Sequence, residues 1–334
     1  MHVVKLLLRH NVGGRSLAFD LRAVNLVSHP KRSTCGGEDA FLSMSEVQCV
    51  FDGVSWWKEY AGVDSGLYSA ALAKFMYSFV EDDALGSLPL SSCELLQRAY
   101  DACLSDEIHG TSTALVATLQ RPCCAADASC SVSAKFSNCM LDVCSIGDCT
   151  SMIIRDGRIV FVSDEQMHSF DYPFQLGQGS ADIPVHSLQY RVVVRPGDVL
   201  LLGSDGIFDN VFKHDIAELV WKFVGPVCGR YALDFDRPSQ YDVATKIIPP
   251  DDVLRALSAG VDEVVRVASA NARDVKCNTP YSNKAIENGA NYRGGRLDDM
   301  TLLGSIIDEK FDLDRSVQLA ESGVLLPTPY RDWP

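Results

Sequence analysis

Residues 199–210 read VLLLGSDGIFDN, an apolar run that stops at Gly203-Ser204-Asp205-Gly206. Val199 to Leu202 is short and continuous, and the turn-forming Pro196-Gly197-Asp198 precedes it, which is the pattern of a strand covered on both faces. Such a strand restricts the fold strongly, because its sheet must be packed on each side. It also poses a chemical problem. A carboxylate placed against a core costs several kcal/mol to bury unless it is paired or binds a metal, so Asp205 needs a partner. The plainer alternative is an Asp that only caps the following helix or stabilises the turn.

The same context recurs along the chain. Asp39 in GGEDAF, Asp52 in VFDGV, Asp148 in SIGDCT and Asp298 in RLDDMTLL all sit beside an apolar run and next to Gly or a second acid. Hard cations such as Mg²⁺ and Mn²⁺ take oxygen ligands in octahedral geometry, and Mg²⁺ keeps several waters beside one or two carboxylates. Strand ends remote in sequence can supply those ligands when the strands are neighbours. Gly after Asp lets the backbone come close to an ion, so the Gly53 carbonyl is a candidate ligand as well. Acids around two ions about 3.5 to 4 Å apart form the layout of two-metal phosphoester chemistry.

The rest of the pattern predicts one α+β domain with sheets packed together and helices outside. Residues 16–29 and 40–52 read as early strands, the second ending at Val50-Phe51-Asp52-Gly53. Apolar residues at three and four spacing predict helices over 64–80 and 92–104, with Asp64 and Ser92 as caps. Strands then dominate: residues 112–119, 134–146, 150–162 with a hairpin turn at Asp156-Gly157, 186–194 and 199–202. Helical spacing returns over 213–224 and 251–274, and 300–307 form a last strand. Residues 225–250, rich in Pro, Gly, Asp and Tyr, read as a surface insertion, and 308–334 as a C-terminal tail.

With 30 basic and 44 acidic residues among 334, the chain carries a formal charge of −14, which argues against a nucleic-acid partner and suits a protein that gathers cations. No stretch reaches the roughly 18 to 20 apolar residues that span a bilayer. The 12 cysteines are scattered without a CxxC pair, so they read as free thiols in a reducing compartment. Neither Cys123-Cys124 nor Cys144 with Cys149 has the second close pair that zinc sites use. Residues 1–15 are basic, with Lys5, Arg9 and Arg15 and no acid before Asp20, which fits either an import presequence or an ordinary first strand. The compartment therefore stays open between mitochondrion and cytoplasm.

In order, GGEDAF, FDGV, GTSTALVATL, GDCTSMIIRDG, LLLGSDGIFDNV and DDMTLL resemble the motifs of the metal-dependent type 2C serine/threonine protein phosphatases. FDGVSWWKEYAGVDSGLYS, SDEQMHSFDYPFQLG and NYRGGRLDDMT are similar to the branch whose known members are mitochondrial. The resemblance covers about residues 16–307 apart from the insertion. It implies a four-layer αββα sandwich of mainly antiparallel sheets with a metal cleft at one edge, acting as a monomer on phosphoprotein substrates. It further implies that Asp52 bridges two Mn²⁺ or Mg²⁺ ions and Gly53 ligates through its carbonyl. Asp205 and Asp298 then complete the first site, Glu38 and Asp39 hold water near the second, and Asp148 joins Asp205 at a weaker third site. The implied reaction is in-line attack of a metal-bridging water on phosphorus, without a phosphoenzyme. No Cys is followed by five residues and Arg in the manner of a cysteine phosphatase loop.

The chain departs from that pattern in places. After Asp52-Gly53 it has Val54-Ser55-Trp56, where the family has two small residues and often a His thought to act as general acid. His168 is then a candidate proton donor, and Arg32, beside Lys31, a candidate for the family's phosphate-gripping arginine. Asp299 stands where the family often has Asn or Asp beside the last ligand, whereas Cys149 replaces a Ser. Two other functions remain open: a catalytically silent phosphatase-fold binding module, and a hydrolase of small phosphoesters.

Overall fold

The computed structural model describes residues 17–29, 37–55, 62–83, 91–120, 140–228 and 250–309. The basic segment 1–15, Lys31, Arg32, Trp56, Cys123-Cys124, residues 229–249 of the insertion and the tail from 310 onward lie outside them.

Two five-stranded antiparallel sheets form the centre. The first has the order β1 (Leu17–Val27), β14 (Met300–Glu309), β13 (Val199–Gly203), β7 (Thr150–Arg155) and β8 (Arg158–Val162). The second runs β12 (Leu188–Val193), β6 (Met140–Ile146), β5 (Ala114–Gln120), β3 (Val47–Phe51) and β2 (Ala40–Ser43). Helices α1 (Ser65–Asp83) and α2 (Ser92–Ser105) cover the second sheet, and α4 (Lys213–Cys228) and α5 (Pro250–Arg273) cover the first. The result is a four-layer α+β sandwich, as the sequence implied.

Strand periodicity of two builds the three apolar layers. In β13, Val199 and Leu201 face α4 and α5, whereas Leu200 and Leu202 face the other sheet. In β5 and β6, Val116, Cys144 and Ile146 face α1 and α2, while Leu115, Leu141 and Val143 face the intersheet layer. Both faces of β13 are apolar, which is why it reads as a continuous run, whereas Asp142 and Ser145 interrupt β6. Helix α5 contributes Val253, Leu257, Val261, Val264 and Ala268 at helical spacing. Each buried Val or Leu of this stripe contributes about 1.5 to 3 kcal/mol.

Local signals set several boundaries. Asp156 and Gly157 adopt φ of 50° and 74°, the positive-φ turn that joins β7 to β8. Helix α2 begins one residue earlier than its predicted cap implies: Ser91, not Ser92, is the N-cap, in a capping box with Glu94. Asp64 does receive the Gly66 amide at 3.1 Å. Residues 40–52 are not one strand but the hairpin β2–β3, closed by Met44 N donating to Val47 O at 2.8 Å. Helix α4 continues through Pro226 to Cys228, into the stretch read as insertion, and Pro250 opens α5.

Some elements were not anticipated. Helix α6 (Pro280–Glu287) has Thr279 as N-cap and Pro280 in its first turn, whereas α3 (Asp205–Phe208) is the helix expected after β13, here a single turn long. Short strands β4 (Thr111–Ser112), β9 (Met167–Ser169), β10 (Tyr172–Pro173) and β11 (Leu176–Gly177) form two-stranded pieces beside the sandwich.

Candidate functional site

The acids singled out in the sequence lie at strand ends along one edge of the sandwich. Asp52 follows β3, Asp205 follows β13, Asp298 precedes β14, Asp148 lies in the β6–β7 turn, and Glu38-Asp39 precede β2. Glycine permits the close approach of these segments. A Cβ on Gly53 would lie 2.7 Å from the Glu38 carbonyl, and one on Gly206 would overlap the Asp299 carbonyl.

Hydrogen bonds from remote residues orient the carboxylates. Asp39 Oδ2 accepts from Ser204 Oγ at 2.8 Å and Thr301 Oγ1 at 2.7 Å, while its Oδ1 is buried without a hydrogen-bond partner. Ser55 Oγ donates to Glu38 Oε2 at 2.6 Å, so the unusual residue after Asp52-Gly53-Val54 supports an acid of the site. The Asp52 carbonyl accepts from Thr113 N and Ser112 Oγ, both at 2.9 Å, which fixes the backbone at the end of β3. Asp299 is a strut: its Oδ2 accepts from Glu38 N at 2.8 Å and its Oδ1 from His29 N at 2.5 Å.

Crowding of like charges shifts these acids. Burial and then Asp299 push Asp39 well above the usual carboxylate range. Asp52 and Asp148 are raised similarly, by burial first and by Asp39 and Asp205 respectively. Asp52 retains some open surface, yet protein atoms surround it densely enough for desolvation to lead. Burial and Asp298 push Asp205 up to about 6, against the pull of Arg296.

Arg296 was missed by the sequence reading. Its guanidinium reaches Asp171 at 2.7 Å, Asp205 at 3.2 Å, and Asp209 and Asp298 at 3.3 Å, and stands 5.0 Å from the Tyr281 ring centroid. Asp209, also unpredicted, is pushed up to about 6 by burial and Asp205 although Lys284 lies 3.1 Å away. Its place in GSDGIFDN, a turn of helix after Asp205, was the available signal; Arg296 carried none beyond its neighbour Asp298.

His168, the candidate proton donor, is engaged elsewhere. Its Nε2 lies 2.8 Å from Asp182 Oδ2 and its ring stacks on Phe174 at 3.9 Å. Neither partner belongs to the carboxylate set. Arg32 and Trp56 lie outside the described residues.

Among the described residues, no three acidic, His or Cys side chains close around one point as a finished ion site; the carboxylates form an open set bridged by Arg296. The donor chemistry nonetheless fits hard divalent cations. Asp39 Oδ1 and Asp205 Oδ1 are buried oxygens without hydrogen-bond partners, and clustered carboxylates of raised pKa gain most from a cation.

A four-layer α+β sandwich with a carboxylate-lined edge is the class that fold and site define. No family model matches the chain. It is 30% identical over 295 residues to "Probable protein phosphatase 2C 26" of Arabidopsis thaliana, covering 84% of this chain and 81% of that protein. The chain belongs to the protein phosphatase 2C family. It is also 29% identical over 288 residues to "Probable protein phosphatase 2C 55" of Arabidopsis thaliana, covering 84% of this chain but 50% of that relative, so it spans about half that relative's length. Among solved structures, the photosystem II phosphatase PBCP superposes with a TM-score of 0.64 at 24% identity, over 88% of this chain and 98% of that one, a likeness of fold.

Proposed function

We propose that the protein is a metal-dependent serine/threonine phosphatase that hydrolyses phosphoserine and phosphothreonine in phosphoproteins. The observation that carries this reading is the gathering of Asp39, Asp52, Asp205 and Asp298, from four remote segments, at one edge of a family sandwich. Asp52, the Gly53 carbonyl, Asp205 and Asp298 are the proposed holders of Mn²⁺ or Mg²⁺, with Glu38, Asp39 and Asp148 at the second and third positions. Such ions, when bound, supply Lewis acidity that activates water and offsets charge on a phosphoryl group.

The chain's own residues hold the acids in place. Ser204 and Thr301 occupy Asp39 Oδ2, which leaves Oδ1 directed away from them. Ser55 restrains Glu38, and Asp299 ties the Glu38 amide to the end of β1. Arg296 joins Asp205 to Asp298 and offsets part of their repulsion. These restraints favour preorganised ligands over a flexible set.

The proposed compartment is the mitochondrion, on the resemblance of NYRGGRLDDMT and its companion segments to that branch. Among the described residues no helix is long and apolar enough to cross a membrane. The proposed domain spans 16–307, with the insertion and tail as appendages.

Hydrolysis of a phosphothreonine peptide, with Mn²⁺, with Mg²⁺ and with EDTA, tests the reading beside Asp52→Ala. Metal-dependent turnover lost in the variant supports it. Metal binding by calorimetry without turnover favours the silent binding module, and turnover of p-nitrophenyl phosphate but no phosphopeptide favours a small-phosphoester hydrolase.

A further inference from the structure

Away from the carboxylates, two thiols meet between α2 and β6. Ser92 N and Ser92 Oγ both donate to Asp142 Oδ2 at 2.8 Å, clamping the first turn of α2 onto β6. Asp142 and Cys144 share the helix-facing side of β6 by strand alternation, and Cys93 follows Ser92, so the clamp sets Cys93 beside Cys144. Ser187, which leads into β12, ties the pair together: Cys144 Sγ donates to Ser187 Oγ at 3.0 Å, and Cys93 Sγ lies 3.9 Å from the same oxygen. Gln189 Nε2 donates to Cys93 Sγ at 3.6 Å.

The two sulfurs differ in character. Cys144 is buried, whereas Cys93 is half-buried and reachable from solvent. The Cys144 thiol holds Cys93 down to about 6, with help from Ser187 and against burial, Asp142 and Glu94. The Cys93 contact, and then burial, push Cys144 upward. Cys93 also occupies the first turn of α2, where amide dipoles favour a thiolate. Of the described cysteines, Cys49, Cys103 and Cys149 are buried with raised thiols, and Cys277 is raised as well.

We propose that Cys93 and Cys144 form a redox-reactive dithiol which a peroxide converts to a disulfide joining α2 to β6. The Cys93 thiolate attacks one peroxide oxygen, the O–O bond breaks, and the other oxygen leaves as hydroxide, taking a proton to become water. The resulting sulfenic acid is attacked by the Cys144 sulfur. The S–S bond forms, the S–O bond breaks, and the hydroxyl leaves with the Cys144 proton as a second water. The two sulfurs together lose two electrons and hydrogen peroxide gains them, while a thiol reductant reverses the change. The site is independent of the acidic edge, so its chemistry stands or falls separately from phosphatase activity.

The test uses the full reduced chain at pH 7 with equimolar hydrogen peroxide. Remaining thiols are then blocked with N-ethylmaleimide under denaturing conditions, and the chain is digested without reductant. The expected product is a peptide pair in which fragmentation locates the link between Cys93 and Cys144, absent after dithiothreitol and absent in Cys93→Ser. Cys277→Ser should retain it. Recovery of both Cys93 and Cys144 as maleimide adducts from the treated wild-type chain overturns the proposal, as does a Cys93 sulfinic acid beside an alkylated Cys144. Because the deciding result comes from the wild-type chain, a variant that failed to fold would not blunt it.

Discussion

The Thr301 hydroxyl donates to Asp39 Oδ2 at 2.7 Å across 262 positions of sequence, joining the edge of one sheet to the entry of the other. Ser204 reaches the same oxygen at 2.8 Å, so two hydroxyls converge on one buried carboxylate. The acid is thereby oriented by the protein's own hydroxyls.

Removing either donor leaves a buried acceptor with less support. Thr301→Val, which keeps the volume, should cost about 1 to 3 kcal/mol in urea unfolding. Ser204→Ala should cost a similar amount. Because both serve Asp39, the double variant should depart from additivity by roughly 0.5 kcal/mol or more. Strict additivity would show that the two hydroxyls act independently.

Asp205→Asn removes a charge with little change in volume. Turnover of a phosphothreonine peptide should fall about 100-fold or more, equivalent to roughly 2.7 kcal/mol of barrier. Yet the variant should be at least as stable as wild type in EDTA, because burial and then Asp298 push Asp205 up to about 6. A variant retaining full turnover would remove Asp205 from the mechanism. One that melts early in EDTA would mean that the lost activity reflects misfolding.

Acid–base linkage gives a signed expectation. Asp205 and Asp209 are both pushed up to about 6, above the roughly 3.9 of an unfolded Asp. Their contribution to folding is therefore fully present below about pH 4 and is lost as pH rises through about 6. In EDTA these two groups should favour pH 5 over pH 7.5. The gain in Tm on adding Mn²⁺ should then be larger at pH 7.5, where the carboxylates are ionised and relief of their repulsion is greatest. Scanning calorimetry at both pH values, with and without Mn²⁺, decides this. An equal gain at both would rule the acids out as the principal cation ligands.

Gly206→Ala probes the turn after β13. The added Cβ would overlap the Asp299 carbonyl and approach Met300 Cγ at 3.2 Å, and backbone cannot step aside as a side chain can. We expect a loss of about 1 to 3 kcal/mol in stability and a matching loss of turnover. Wild-type stability in chemical denaturation would show that the turn and the segment leading into β14 move apart freely.

Much of the fold was written in local pattern. Val199 to Leu202 are apolar at every position because both faces of β13 are buried, β5 is apolar from Ala114 to Ala117, and the Asp156-Gly157 turn needed only its positive φ. The Ser91–Glu94 capping box and the Thr279-Pro280 start of α6 were equally present in the letters, although the expected cap fell on Ser92 and no helix was expected over 280–287. The β2–β3 hairpin was hidden, since Ser43 to Glu46 carry neither Gly nor Pro to mark a turn.

By itself the sequence determined which strands end in acids, the order of those acids along the chain, and the layered class of fold, since each depends on residues close together in the chain. Tertiary structure alone decided that Ser204 and Thr301 share Asp39, that Arg296 bridges Asp205 and Asp298, that His168 is held by Asp182, and that Cys93 meets Cys144. Hydrogen bonds and ion pairs act over about 3 Å, and periodicity carries no record of which distant segments packing will bring within that reach.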